Sequence, residues 1–153
     1  MQHGTSDPHP QVLGRSPVEL GAQGVADDHR TTSAAHGAVV AQRCDRCRAC
    51  FFPPLLGCSG CRSSDLSWID CGETGTVGTF VTVHGNLVTP SMGIPKWLVD
   101  RMPYTSVYVV PDAVPTLRIP ALMEGPQQAD IRVGSSVCFD TSDPRSLGAH
   151  LLE

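Results

Sequence analysis

The clearest pattern in the chain is the run Thr76-Val77-Gly78-Thr79-Phe80-Val81-Thr82-Val83-His84, which alternates with a period of two and is rich in β-branched side chains. That texture predicts a half-buried β-strand. Leu66-Ser67-Trp68-Ile69-Asp70-Cys71 reads as a strand before it, with a turn over residues 72–75. Further strands are predicted at 104–110, 116–123 and 136–140, each bounded by Pro, Gly or Asp. Short, closely spaced strands without long helical repeats point to a small barrel. The long connection between His84 and Pro103 carries Met92, Ile94, Trp97, Leu98, Val99 and Met102. Pro95 is placed to open a short helix over residues 96–102. An apolar connection of this kind closes a barrel end or meets a partner, and Trp97 and Met102 are the candidates for partner contact.

Upstream the pattern fades. Residues 1–37 are rich in Gly, His, Ser, Asp, Gln and Pro and show no sustained apolar period. They read as a leader that is disordered, or ordered only against a partner. Val12, Leu13, Val18 and Leu20 offer that leader a short docking helix. Ala38-Val39-Val40-Ala41-Gln42-Arg43 then forms an apolar entry into a cysteine cluster that ends near Asp65. The expected organisation is a leader over 1–37, a cysteine-based module over 38–65 and a barrel over 66–153. Gly at 15 and Pro at 13 among 153 residues agree with a mainly β chain full of turns.

The cluster holds the strongest chemical signal. Cys44-Asp45-Arg46-Cys47 and Cys58-Ser59-Gly60-Cys61 are two Cys-x-x-Cys units with ten residues between them. Each unit forms a tight turn that aims two sulfurs at one point, so Cys44, Cys47, Cys58 and Cys61 supply a tetrahedral thiolate set. Four protein ligands leave no position for water or substrate, which makes the expected site structural, with zinc as the expected ion. Iron takes the same sulfur set, and spacing does not separate the two. A module of this size buries too little apolar surface to fold alone, and a metal supplies the difference. Cys50 competes with Cys47 for a ligand place, but only Cys47 gives the two-residue spacing. Arg48 and Arg62 follow the two pairs where glycine would ease a left-handed turn. Cys71 and Cys138 fall in predicted strands and read as buried apolar residues.

These features in order are similar to a known series. Gln42-Arg43-Cys44-Asp45-Arg46-Cys47, Phe51-Phe52-Pro53-Pro54 and Cys58-Ser59-Gly60-Cys61 come first. Ser63-Ser64-Asp65-Leu66, Trp68 and Gly72-x-x-Gly75-Thr76-Val77 follow. Pro103-Tyr104, Arg132-Val133-Gly134 and Val137 come later. The series resembles the acyl-CoA-associated OB-fold proteins, a family long catalogued as a domain of unknown function, with a rubredoxin-like zinc ribbon ahead of the barrel. The resemblance spans about residues 38 to 140 and implies a zinc ribbon followed by a small OB-fold barrel. It also implies amino-terminal helices, which residues 1–37 spell poorly. By the same resemblance the chain is a non-catalytic accessory subunit, in a hetero-oligomer with a thiolase, acyltransferase or aldolase of the thiolase type. It would stabilise that assembly and help to shape the acyl-CoA path.

Thiolase-type chemistry needs a nucleophilic Cys, a His base and an oxyanion site held together in a deep pocket. Cys71, Cys138 and His84 are the candidates within the barrel, and nothing in the sequence brings them together, so no catalytic residues are expected. Arg43, Arg46, Arg48 and Arg62 make the ribbon locally basic in a chain of formal net charge −4. Arg48 and Arg62 are the candidates for contact with CoA phosphates, beside the plainer reading of solvated structural arginines. The rival function is a nucleic-acid-binding ribbon and OB barrel. Its weakness is an acidic, aromatic-poor sequence from Leu66 onward, where single-strand binders need a basic groove with stacking rings. No stretch approaches the ~18–20 apolar residues that span a bilayer, so no membrane partner is expected. The amino terminus lacks a secretory pattern, and the expected location is the cytoplasm, where thiols stay reduced.

Overall fold

In the computed structural model, residues 9–85, 92–123 and 130–152 are described. The expected strand over 116–123 lies within them, whereas parts of the 1–37 leader and of the connection before Pro103 lie outside them. The chain divides into two compact units, Met1–Glu73 with Pro111–Leu117, and Thr74–Val110 with Arg118–Glu153.

The first unit is a four-stranded sheet with one long helix. Its strands are β1 (Val12–Arg15), β2 (Val40–Cys44), β3 (Cys50–Phe51) and β4 (Leu66–Asp70), in the order β1-β4-β2-β3. β2 and β4 run antiparallel, with Val40 opposite Asp70 and Cys44 opposite Leu66. β1 adds to the far edge of β4 through a bulge between Val12 and Gly14. Leu66–Asp70 is thus part of the ribbon's sheet, because it completes the ladder that β2 begins. The barrel, expected to start at residue 66, has its first strand at Thr74.

Helix α1 (Gly21–His36) stands where the sequence suggested a leader. Its alanines favour a helix, and Gly37, in the left-handed conformation at φ 60°, ends it with its N–H donating to Ser33 O. Val25 is its one buried residue, packed with Val40 and Trp68 and flanked by Leu13 and Val18. Those apolar positions come from a strand, a 3₁₀ turn (Val18–Leu20) and a helix, so no single period runs through them. Polar contacts complete the docking. The Trp68 indole N–H donates to Asp28 Oδ2 at 2.7 Å, and the His29 ring N–H at Nε2 donates to Val40 O at 2.7 Å.

The second unit is a closed five-stranded barrel of β5 (Thr74–Val83), β6 (Tyr104–Pro111, all but its last residue), β7 (Ile119–Met123), β8 (Ser136–Asp140) and β9 (Gly148–Leu151), ordered β5-β6-β7-β9-β8. β7 and β9 are parallel, while β5–β8, β6–β7 and β8–β9 are antiparallel. One parallel contact, between the third and fifth strands, is the arrangement of the OB-fold. Val77, Val107, Val109, Ala121, Met123, Ile131, Val137 and Ala149 fill the interior. At Gly75 a Cβ would stand 2.5 Å from Val110 O, so only glycine lets β5 pass this close to β6. The short helix α2 (Lys96–Val99) lies in the β5–β6 connection, opened by Pro95 as expected but ending at Val99, three residues short of the expected 102. β9 had no signal in the sequence: Gly-Ala-His-Leu is a poor strand alone, and pairing on both sides supplies what propensity does not. Among the described residues no helix is long and apolar enough to cross a membrane.

Candidate metal centre

Each Cys-x-x-Cys pair folds into the same turn. Arg48 N–H donates to Cys44 O at 2.9 Å, and Arg62 N–H donates to Cys58 O at 2.9 Å. Cys44 N–H donates to Ala49 O at 2.8 Å, and Cys58 N–H to Ser63 O at 2.9 Å. The match extends to the residue after each pair, with Arg48 at φ 66° and Arg62 at φ 60°. Both positions are therefore left-handed and occupied by arginine, the strain that the missing glycines foretold.

These turns bring four sulfurs together. The Sγ atoms of Cys44, Cys47, Cys58 and Cys61 all lie within 4.8 Å of one another. Cys44 and Cys61 are 3.6 Å apart, and Cys47 and Cys58 are 3.4 Å apart. A disulfide needs about 2.05 Å. Four sulfurs around a tetrahedral ion, with metal–sulfur bonds of ~2.3 Å, stand about 3.8 Å from each other. The donor set fits a metal ion. Cys44 and Cys58 are buried beside Leu66, with Val18, Phe51 and Cys61 packed against them, so one side of the site is dry.

The backbone also favours charge on these sulfurs unevenly. Cys61 N–H, then Gly60 N–H and the neighbouring thiols, hold the Cys58 thiol down to about 6. For Cys47 a lowering contact from Ala49 N–H is overcome by hydrogen bonds with Cys58, Cys61 and Cys44 and by burial, which push it up to about 12. Four crowded thiols cannot all ionise unaided, and a bound cation would remove that conflict.

Other cysteines stay apart from this ring. Cys50 Sγ faces Arg48 O at 3.7 Å from β3. Cys71 is buried just beyond β4, and burial first, then Asp70 and Cys50, pushes its thiol up to about 12. Cys138 is half-buried on β8, directly across from His150 of β9. His84 is exposed beyond the end of β5. Trp97 is half-buried in α2, with the guanidinium of Arg145 5.0 Å and that of Arg101 5.8 Å from its ring centre. Asp143 pairs with both arginines, at 2.8 Å and 3.9 Å. Met102 is half-buried at the end of the same connection.

Gln42, which no motif marks as functional, organises the ribbon. It is fully buried on β2. Its Nε2 donates to Ser16 Oγ at 2.7 Å and to Leu55 O at 3.0 Å, while Leu55 N–H donates to its Oε1 at 2.6 Å. A glutamine directly after the apolar Val39-Val40-Ala41 was the available signal.

Residues 31–67 match the ChsH2 rubredoxin-like zinc ribbon domain. The first unit carries a ChsH2-type zinc ribbon. The chain is also similar in structure to the Ltp2-ChsH2(DUF35) aldolase, with a TM-score of 0.56 and 24% identity, covering 78% of this chain and 87% of that one. A DUF35 protein of unknown function from Sulfolobus solfataricus is similar at a TM-score of 0.56 and 13% identity, covering 86% of this chain and 87% of that one. At these identities the likeness is one of fold, and the fold is that of a DUF35 protein, ribbon first and barrel second. No curated protein sequence matches the chain.

Proposed function

We propose that this chain is a non-catalytic accessory subunit of a thiolase-type acyl-CoA enzyme, acting in the cytoplasm and holding zinc in its ChsH2-type ribbon. The observation that carries the reading is the pairing of a complete four-sulfur ribbon with a DUF35 fold shared with the Ltp2-ChsH2(DUF35) aldolase. Four thiolates around one ion leave no open coordination position, so the metal's chemistry there would be to hold the ribbon folded. Among the described residues the interior of the barrel is filled by aliphatic side chains such as Val77, Val107, Val109 and Val137. Surface left to bury, such as the exposed Met92 and Val99 in the connection that carries Trp97, suits a subunit that completes a larger body.

The test is to express the full chain in its native host, isolate it under mild conditions and identify what travels with it. A thiolase-type enzyme in fixed proportion is expected. A chain that purifies alone, at concentrations where such complexes persist, would overturn the reading. The absence of catalysis is tested in the assembled complex. Cys138→Ser and His84→Ala are expected to leave turnover unchanged, whereas a loss of about a hundredfold or more would make the barrel a participant in chemistry. A salt-dependent gel shift addresses the nucleic-acid rival, and none is expected.

A further inference from the structure

The ribbon presents two adjacent leucines to solvent. In the loop Pro53-Pro54-Leu55-Leu56, between β3 and the second cysteine pair, Leu55 is 38% and Leu56 47% exposed. An apolar tip of this kind would ordinarily be free to fold its side chains back. Here the backbone is pinned: both polar groups of Leu55 are bonded to the side chain of Gln42, which is buried and anchored in turn to the buried Ser16. A buried amide is costly unless satisfied, and this one spends its hydrogen bonds on fixing the loop that displays the leucines. A contact element already held in one conformation binds with less ordering loss.

The surrounding charge has a definite sign. Arg46, Arg48 and Arg62 are exposed, and no ion pair or hydrogen bond of their side chains is found among the described residues. The nearby carboxylates are already engaged: Asp65 accepts from Arg15 at 2.8 Å, and Asp45 accepts from Ser67 Oγ at 2.5 Å and lies 3.7 Å from Arg43. In a chain of formal net charge −4 the cysteine segment is basic, with Arg43, Arg46, Arg48 and Arg62 against Asp45 and Asp65. Surface that combines a rigid apolar tip with arginines complements an apolar pocket rimmed by carboxylates.

We infer that the Leu55–Leu56 loop, set by the Gln42 clamp and flanked by Arg46, Arg48 and Arg62, is the ribbon's docking element for an acid-rimmed apolar pocket on the partner enzyme. This rests on the accessory-subunit reading above. A two-leucine tip on a fixed backbone matches a protein pocket better than a lipid surface, which rewards a broad apolar face.

The experiment uses the thiolase-type enzyme that co-purifies with the full chain, produced separately and immobilised for interferometry. Leu55→Ser with Leu56→Ser is expected to weaken binding by roughly tenfold or more while leaving metal content unchanged. Arg46→Gln, Arg48→Gln and Arg62→Gln together are expected to weaken binding at low salt and to flatten its salt dependence. Since both leucines are exposed, misfolding of the leucine variant is not expected, and the arginine variant gives an independent reading. Unchanged affinity in both variants would overturn the inference while leaving the accessory role standing. If no thiolase-type enzyme co-purifies, both fall together. Three other results would also overturn it. These are competition by free CoA for the arginines, sedimentation showing that the leucine variant abolishes self-association instead, and leucine-dependent binding to phosphatidylserine vesicles.

Discussion

Replacing Gln42 by leucine removes its two amide polar atoms from the buried face of β2 at nearly constant volume. Three hydrogen bonds go with them, at 2.6, 2.7 and 3.0 Å. Leu55 O lies in a partly exposed residue and recovers a bond to water. Leu55 N–H and the Ser16 hydroxyl, the latter in a residue only 1% exposed, lose a close partner. Each stranded buried group costs about 1–3 kcal/mol, offset by about 1 kcal/mol for the amide desolvation no longer incurred. The net loss is about 1–5 kcal/mol, or a factor of roughly 5 to 4,000 in local opening at 1.4 kcal/mol per decade. Two compact units make a single unfolding midpoint a poor readout, so native-state hydrogen exchange is the suitable assay. The amide of Leu55 is expected to be strongly protected in the native chain and to lose that protection in Gln42→Leu. Amides of Val137 and Ala149 in the barrel should not change. Equal protection of Leu55 in both proteins would show that the clamp does not hold the loop.

Four further outcomes are expected. Arg48→Gly and Arg62→Gly each relieve a left-handed arginine worth ~1 kcal/mol, partly offset by the freer unfolded chain, for a net gain of about 0.5 kcal/mol in resistance of the ribbon to denaturant. Asp28→Ala leaves the Trp68 indole N–H without its acceptor and should cost about 1.5–3 kcal/mol, seen as earlier loss of ribbon-sheet protection in urea. Burial lowers the pKa of His29 from its ordinary value of 6.5, against the raising effect of its bond to Val40 O. The unfolded chain then takes up the proton first, so α1 docking weakens as pH falls below about 6.5, and His29→Gln should remove that dependence of Trp68 fluorescence. Asp140 is held down to about 2 by Ser142 and His150, so its contribution is present above the ordinary carboxylate range and lost only as pH falls toward 2.

Much of this architecture was written locally. The two cysteine pairs are self-announcing because four sulfurs need two turns and little else. Strands β5, β6 and β8 announced themselves through β-branched runs between breakers. What stayed hidden depends on partners distant in sequence. α1 has one buried residue and is fastened by Asp28 to Trp68 and His29 to Val40, contacts that leave no apolar stripe to read. The place of Leu66–Asp70 in the ribbon follows from its register with β2, which alternation alone does not reveal. At the site the sulfurs were foreseen, and so was the awkwardness of Arg48 and Arg62. The Gln42 clamp was not, since its meaning lies in Ser16 and Leu55, 26 residues before it and 13 after.

The decisive measurement is elemental analysis of freshly purified full-length chain, followed by hydrogen exchange of the ribbon with and without a strong chelator. One zinc per chain in colourless protein is expected, with the amides around Cys44 and Cys58 losing protection when the metal is withdrawn and the barrel unaffected. Protein that carries no metal and keeps the same ribbon protection in chelator would contradict the four-sulfur centre on which the reading rests.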